Sequence, residues 1–310
     1  MSLARRLPQS NISRKYALCS AVDKNDTVDI SESALTSATI IRLTKGKDAF
    51  TLALSAVHTA EAFHARKGEP LKENRRLLRK NIAAYFKGIN NAISTNTIPE
   101  PARAFYGLDI SNKRLPKTNT DSLLIYWADQ IIKGDANRVS KGGIAMANPS
   151  IIEFTAIYNI TYPLISEYSN ATSDLIDAQT KVKNLLPEID KLIRHTWNEI
   201  ETFYSDLKAS TKRSTSRNWG VLYISVGKPA IISGRCFNSE TGEGLAKIKI
   251  HLSGVNKSVL TDSNGNYVLH TRLYGDMELI ATQKEFVENC NSFMMDNGIN
   301  TVINIAMIPL

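Results

Sequence analysis

Metal binding is the first chemistry to look for, and the nearest approach to it is Glu61-Ala-Phe-His64. An E-x-x-H pair on a helix supplies part of a di-iron site in a helical bundle. A complete site needs a second such pair and further inward glutamates, and no second E-x-x-H exists in the sequence. His58 precedes His64 by six residues and falls on a different part of the helix surface. Glu61 and His64 therefore read as a hydrogen-bonded pair on a helix surface. Neither H-E-x-x-H nor a cysteine–histidine zinc spacing occurs, so no metal ligand is expected.

Two loops invite and then fail a ligand reading. Lys141-Gly-Gly-Ile, ahead of a helix, would offer backbone N–H groups to a phosphate. It follows no clear strand and lacks both glycine-rich nucleotide patterns, which leaves an inter-helix loop. Asp262-Ser-Asn-Gly-Asn looks like a calcium loop, but its glycine comes too early and no closing glutamate follows. A hairpin turn with glycine at positive φ accounts for all five residues. There is no G-x-S-x-G elbow, and no serine, cysteine or histidine has a nearby partner that marks a nucleophile. The expectation is a non-enzyme with no catalytic residue and no cofactor.

What remains is charge. Residues 66–87 hold eight basic and two acidic side chains, and Lys72, Arg76, Lys80 and Lys87 fall on one helical face. Such a face suits phosphates or an acidic protein surface. It also suits simple solvation of a helix. Aromatic residues interleave poorly with these bases, and no helix-turn-helix or zinc-finger pattern accompanies them, so nucleic-acid binding is the secondary reading.

The elements that carry these residues change character along the chain. Residues 1–30 are polar, basic and poor in large apolar side chains, and read as a flexible arm. Helical spacing then dominates from 31 to 210. A first helix to about Lys67 ends at Gly68-Glu-Pro70, and a second runs from about Leu71 to Ser94 with Leu78, Ile82, Tyr85, Ile89 and Ile93 on one face. A proline-rich connection around Phe105-Tyr106-Gly107 leads to a short helix with Leu124, Trp127 and Ile131. A last helical stretch from about Asn170 steps through Val182, Ile189, Ile193, Trp197, Ile200 and Tyr204, with a kink or a new start at Pro187. An antiparallel helical bundle is the simplest arrangement of these pieces. Residues 211–229 read as a linker, and from 230 to 310 the period becomes two, with turns at Ser239–Gly244, Asp262–Gly265 and Asp296–Asn300.

The net charge of +8 divides at that boundary. Residues 228–310 hold 7 Lys+Arg against 8 Asp+Glu, a net of −1, which leaves +9 for the first 227. Cys19, Cys236 and Cys290 are odd in number and far apart. Cys236 and Cys290 are close enough in strand order to meet across a sandwich, or to remain buried thiols in a reducing compartment. No run of residues is long and apolar enough for a membrane-spanning helix, and no secretory signal opens the chain. A cytoplasmic address and no membrane insertion are expected.

The succession Ser233-Gly-Arg, Thr241-Gly-Glu-Gly-Leu-Ala and Thr261-Asp-Ser-Asn-Gly-Asn-Tyr-Val-Leu resembles the carboxypeptidase regulatory-like domain, a transthyretin-like sandwich. The likeness covers about a quarter of the chain. Glu285-Phe286 stands where that family usually has glycine-tyrosine after the fifth strand. The resemblance implies a small Greek-key antiparallel β-sandwich used as a non-catalytic accessory module. The helical part resembles uncharacterised proteins of Bacteroidota-type bacteria. The expectation is thus a structural or adaptor protein that self-associates or docks with protein partners into a larger, phage-tail-like or filamentous assembly.

Overall fold

A computed structural model describes residues 3–111, 114–253, 255 and 257–310. Helices precede an eight-stranded sheet, as the change of period requires. Strand β1 (Ala4–Arg5) leads to helices α1 (Asn11–Asn25), α2 (Ser37–Ser94), α3 (Asp121–Ser140), α4 (Ile151–Phe203) and α5 (Ala209–Arg217). Strands β2 (Tyr223–Asn238), β3 (Lys249–Leu252), β4 (Ser258–Leu260), β5 (Asn266–Thr282), β6 (Asn289–Met295), β7 (Thr301–Val302) and β8 (Ile305–Met307) follow.

The chain forms two compact units, and their division differs from the expected boundaries. One unit comprises residues 1–59 and 178–310, the other residues 60–177. Helices α2 and α4 each contribute to both. The expected break at Gly68-Glu-Pro70 is absent, because α2 continues through Pro70. A mid-helix proline forfeits one ladder hydrogen bond, and neighbouring turns hold the helix in register. Likewise α4 runs unbroken through Pro187.

In the first unit the expected flexible arm is ordered. Ser10 caps α1 with a reciprocal pair: its side chain accepts from Ser13 N–H, and the Ser13 side chain accepts from Ser10 N–H. Ala17, Leu18, Ala21 and Val22 form a stripe of modest apolar side chains that disappears into a core with Leu43, Phe50, Ile193, Trp197 and Ile200. The expected linker is equally ordered, since Trp219, Val221, Leu222 and Tyr223 belong to that same core. Trp219 Nε1 donates to Tyr204 Oη at 3.1 Å, and Tyr223 Oη donates to Glu201 at 2.7 Å. Arg217 pairs with Asp276 of β5 at 2.9 Å.

The sheet is built on two long strands. β2 and β5 pair antiparallel, with a register shift between Val226 and Ala230. Past Gly275, β5 exchanges β2 for β6 and also pairs with β3. Ile232, Ile250, Leu269, Met277, Leu279, Ile305 and Met307 fill the core between the layers. The sandwich-like sheet departs from a purely antiparallel one, because β7 and β8 lie parallel to β2. Before and between these short pairings, asparagine side chains replace backbone partners: Asn297, Asn300 and Asn304 Oδ1 accept from Lys228, Ile231 and Arg235 N–H at 2.7–3.0 Å.

The three sequence segments that carried the family likeness meet in space. Asp262 Oδ1 accepts from Asn264 and Asn266 N–H, which closes the turn expected from the sequence. Gly265, at φ +82°, lies so close to the Cys236 carbonyl that a Cβ would stand 2.2 Å from its oxygen. Arg235 Nε donates to the Asn264 carbonyl at 3.1 Å.

The second unit holds its own core of Leu78, Ile82, Tyr85, Phe86, Ile89, Tyr106, Leu124, Ala128, Ile131 and Phe154. Leu78, Ile82, Tyr85, Ile89, Leu124 and Ile131 are residues whose helical spacing marks buried faces in the sequence, whereas Phe86, Tyr106, Ala128 and Phe154 join them without that signal.

Candidate functional site

Position along α2 fixes the basic face. Successive α-helical residues turn by about 100°, so Lys72, Arg76, Lys80 and Lys87 fall within roughly 80° of one another. All four are exposed. Their charge is less concentrated than composition suggests. Arg76 is held in an ion pair by Glu73, at 2.5 Å. Glu73 is pulled below its ordinary pKa by that guanidinium. Glu69, one turn earlier on the same face, is also exposed. Other bases of the run are spent on packing: Arg75 pairs with Asp121, and Arg79 donates to the Thr118 carbonyl at 2.9 Å. Lys72, Lys80 and Lys87 are the other exposed bases of this face.

The other candidate surface is apolar. Ile152, Ala156 and Ile160 of α4 recur at intervals of four and are all exposed, the two isoleucines at 79% and 58%. The glycine-rich loop before α4 adds Ile144, at 87%. The buried face of the same helix carries Phe154, Thr161, Ile165 and Ala171, so the exposed isoleucines form a second apolar face. A search for one hydrophobic stripe per helix misses it for that reason.

The loop itself has a structural role. Gly143 lies where a Cβ would stand 2.8 Å from the Arg138 carbonyl. Gly88 of α2 sits 2.9 Å, by the same measure, from the Asn148 carbonyl. Nearby, Arg138 donates to Asp135 Oδ1 at 2.7 Å and to Tyr106 Oη at 2.9 Å, all three buried. Burial pushes the Tyr85 and Tyr106 phenols up. A phenol held protonated is no base, and Asp135 is already paired, so this network joins α3 to the 3-10 turn at Glu100–Tyr106.

His64 stacks on Tyr168, with ring centroids 4.6 Å apart. No group of three metal-ligating side chains occurs among the described residues. The two C-terminal thiols face different surroundings. Cys236 belongs to the sandwich core, and burial pushes it up to about 11. Cys290 stands opposite Ile280, outside that core, near Ser10 and Glu278. Burial, with Glu278 second, pushes it up to about 12. All three cysteines are free. No helix among the described residues is long and apolar enough to cross a membrane.

No protein-family model and no curated protein matches the chain. Among solved structures it is similar to a "putative carbohydrate binding protein" from Bacteroides uniformis ATCC 8492, at 18% identity and TM-score 0.23, over 27% of this chain and 43% of that one. It is similar to a "putative membrane-associated protein of unknown function" from Bacteroides fragilis NCTC 9343, at 17% identity and TM-score 0.21, over 28% and 30%. (S)-Allantoin synthase matches at 11% identity and TM-score 0.20, over 44% and 58%. The chain thus spans less than two thirds of each of these proteins, and likenesses this slight bear on neither fold nor function.

Proposed function

We propose that this is a non-catalytic structural or adaptor protein whose helical part brings copies of the chain together in a larger assembly, while the sandwich presents an interaction surface. The observation that carries this reading is the exposed face Ile152–Ala156–Ile160. Contiguous apolar surface of this kind marks interaction sites. The face is also its own complement. About a two-fold axis at Ala156, two antiparallel copies of α4 would set Ile152 against Ile160, as an isologous interface requires. The small Ala156 side chain allows the two backbones close approach at the axis. Burying each isoleucine contributes about 1.5–3 kcal/mol, set against an association cost of similar total size.

The C-terminal module, on this reading, is of the carboxypeptidase regulatory-like, transthyretin-like type. The convergence of Arg235, Asp262 and Gly265 at one turn supports that assignment. A two-fold contact closes on itself and yields a dimer, which would be the unit of the cytoplasmic particle or filament we favour as the setting. Sedimentation velocity across a wide concentration range, with electron microscopy of the same samples, tests it. Oligomers that dissociate on Ile152→Asp with Ile160→Asp are expected. A compact monomer at every concentration sinks the idea.

The exposed Lys72, Lys80 and Lys87 support a second reading, nucleic-acid binding. It requires binding that weakens steeply with salt and is lost on reversing these charges together with Arg76. Glu73 and Glu69 on the same surface weigh against it.

A further inference from the structure

A two-fold contact between α4 helices pairs copies and goes no further, so a larger assembly needs a second contact of another kind. The first unit carries two surfaces that complement each other as knob and socket.

The knob is Ile30, which at 94% is more exposed than any other large apolar side chain among the described residues. It opens a 3-10 turn, Ile30–Glu32, between α1 and α2. That connection is braced from both ends. Val28 packs on the core of the unit, Ala34 and Leu35 are buried in it, and Ser33 Oγ donates to Asn25 Oδ1 at 2.7 Å. Ile30 is therefore held out in water by a fixed loop, which leaves its burial free energy unused. Asp26, Asp29 and Glu32 flank it, all exposed, and residues 25–32 contain no lysine or arginine.

The socket is the outer face of the layer formed by β7, β2 and β5. Ser233 pairs with Val268 of β5 on one side and with Val302 of β7 on the other, so the three side chains share a face. The alternate positions Ile232 and Leu269 belong to the core, which puts this row outside, where Val268 and Val302 are 51% and 72% exposed. Strand spacing sets the two valines about 10 Å apart across the small serine, a trough as wide as one branched side chain. Ile231 and His270 form the next row on this face. Positive charge stands at either end of it, with Arg235 two residues along β2 and Arg272 two residues beyond His270 on β5. No aspartate or glutamate occupies these positions.

We infer that Ile30 of one copy seats between Val268 and Val302 of another, with Asp26, Asp29 and Glu32 facing Arg235 and Arg272. Both surfaces are exposed, so neither covers the other within one chain. Pairing socket with socket would bring two basic surfaces together, and pairing knob with knob two acidic ones. The contact is therefore heterologous. It leaves a free knob at one end and a free socket at the other, the condition for open-ended growth. This inference rests on the reading of the sandwich as an interaction surface and is independent of the α4 contact.

Sedimentation velocity on full chains already carrying Ile152→Asp and Ile160→Asp tests it, because the α4 contact then contributes nothing. One buried side chain and a few charge pairs make a weak contact, so it is read at high protein concentration. Self-association that weakens with salt is expected. Ile30→Asp should weaken it at least about tenfold, the worth of one buried isoleucine. Val302→Glu with Arg272→Glu should do the same from the other side. All three positions are exposed, so the circular dichroism of each variant should match that of its parent. An equal mixture of the two variants should form a one-to-one complex, since one supplies an intact socket and the other an intact knob. No self-association at any concentration, association unchanged by either variant, or a mixture as monomeric as its components would each overturn the inference. The α4 reading stands or falls on the unmodified chain at low concentration, so the two failures are distinguishable.

Discussion

Glu278 is buried on β5 beneath α1, with one carboxylate oxygen lacking any hydrogen-bond partner. Burial raises its pKa, opposed by the nearby Ser13 and Ser253 hydroxyls and by the Arg14 charge, while Cys290 lies diagonally across from it on β6. Arg14 is itself paired with Asp190 at 2.7 Å and does not neutralise Glu278. With a folded pKa above the unfolded one, the native state holds the extra proton, so stability falls as pH rises from the ordinary carboxylate range through the folded value. Glu278→Gln replaces a buried charge by a neutral amide and should raise stability at pH 7 by roughly 1–3 kcal/mol, the excess cost of burying the charged form, and flatten that pH dependence. Denaturant melts of both proteins at pH 4 and pH 7 check this. A variant less stable than its parent at both values would refute it. Nothing in the sequence distinguished Glu278 from a surface glutamate, because β5 alternates correctly and only the covering helix α1 changes the meaning of its outer face.

At the scale of elements, the readable features were those with large side chains at a fixed period. The buried face Leu78–Ile82–Tyr85–Ile89 and the strands around Ile232 and Leu269 were legible for that reason. Helix α1 was not, because its buried stripe consists of Ala17, Leu18, Ala21 and Val22, too slight to outweigh a polar, basic composition. Pro70 misled in the opposite sense. A local stop signal lost to the tertiary contacts of residues on either side of it. Pro70→Ala restores a ladder donor at an exposed position and should stabilise by up to about 3 kcal/mol, read from the shift in denaturation midpoint. Gly134 of α3 gives a contrary expectation. A Cβ there would stand 2.5 Å from the Tyr106 ring and 2.7 Å from the Phe105 carbonyl. Gly134→Ala, ordinarily favourable in a helix, should instead cost about 1–3 kcal/mol through overpacking. Denaturant melts of parent and variant check this, and a stabilised variant would contradict that packing.

The molecule as a whole divides where the sequence shows no mark. Composition and charge change near residue 228, yet the first unit joins residues 1–59 to everything after 177. Such a unit rests on contacts between distant segments, and periodicity reports only local order. Trp219 is the case in point. It is fully buried in the core that holds Leu18, Phe50 and Trp197, although its flanks read as a linker. Trp219→Ala should cost about 3–5 kcal/mol and loosen the helical and sheet parts of this unit in one transition, seen as coincident near- and far-ultraviolet melts. Separate transitions with an unchanged sheet would show that 219 is a linker after all. The exposed isoleucine face of α4 was equally hidden, since the sequence placed the last helical stretch from about Asn170 and no apolar stripe was read over residues 151–169.

The three asparagines along β2 bear on how copies of this protein can join. A bare strand edge is a template onto which a further chain can add, and it is the usual route to amyloid-like growth. Here the N–H groups of Lys228, Ile231 and Arg235 are already occupied by the amides of Asn297, Asn300 and Asn304. Together with β7 and β8, which pair with neighbouring residues, these amides leave β2 an interior strand with no border open to recruitment there. The ends of the strand order are β1 and β4, so a further strand would add there and not along β2.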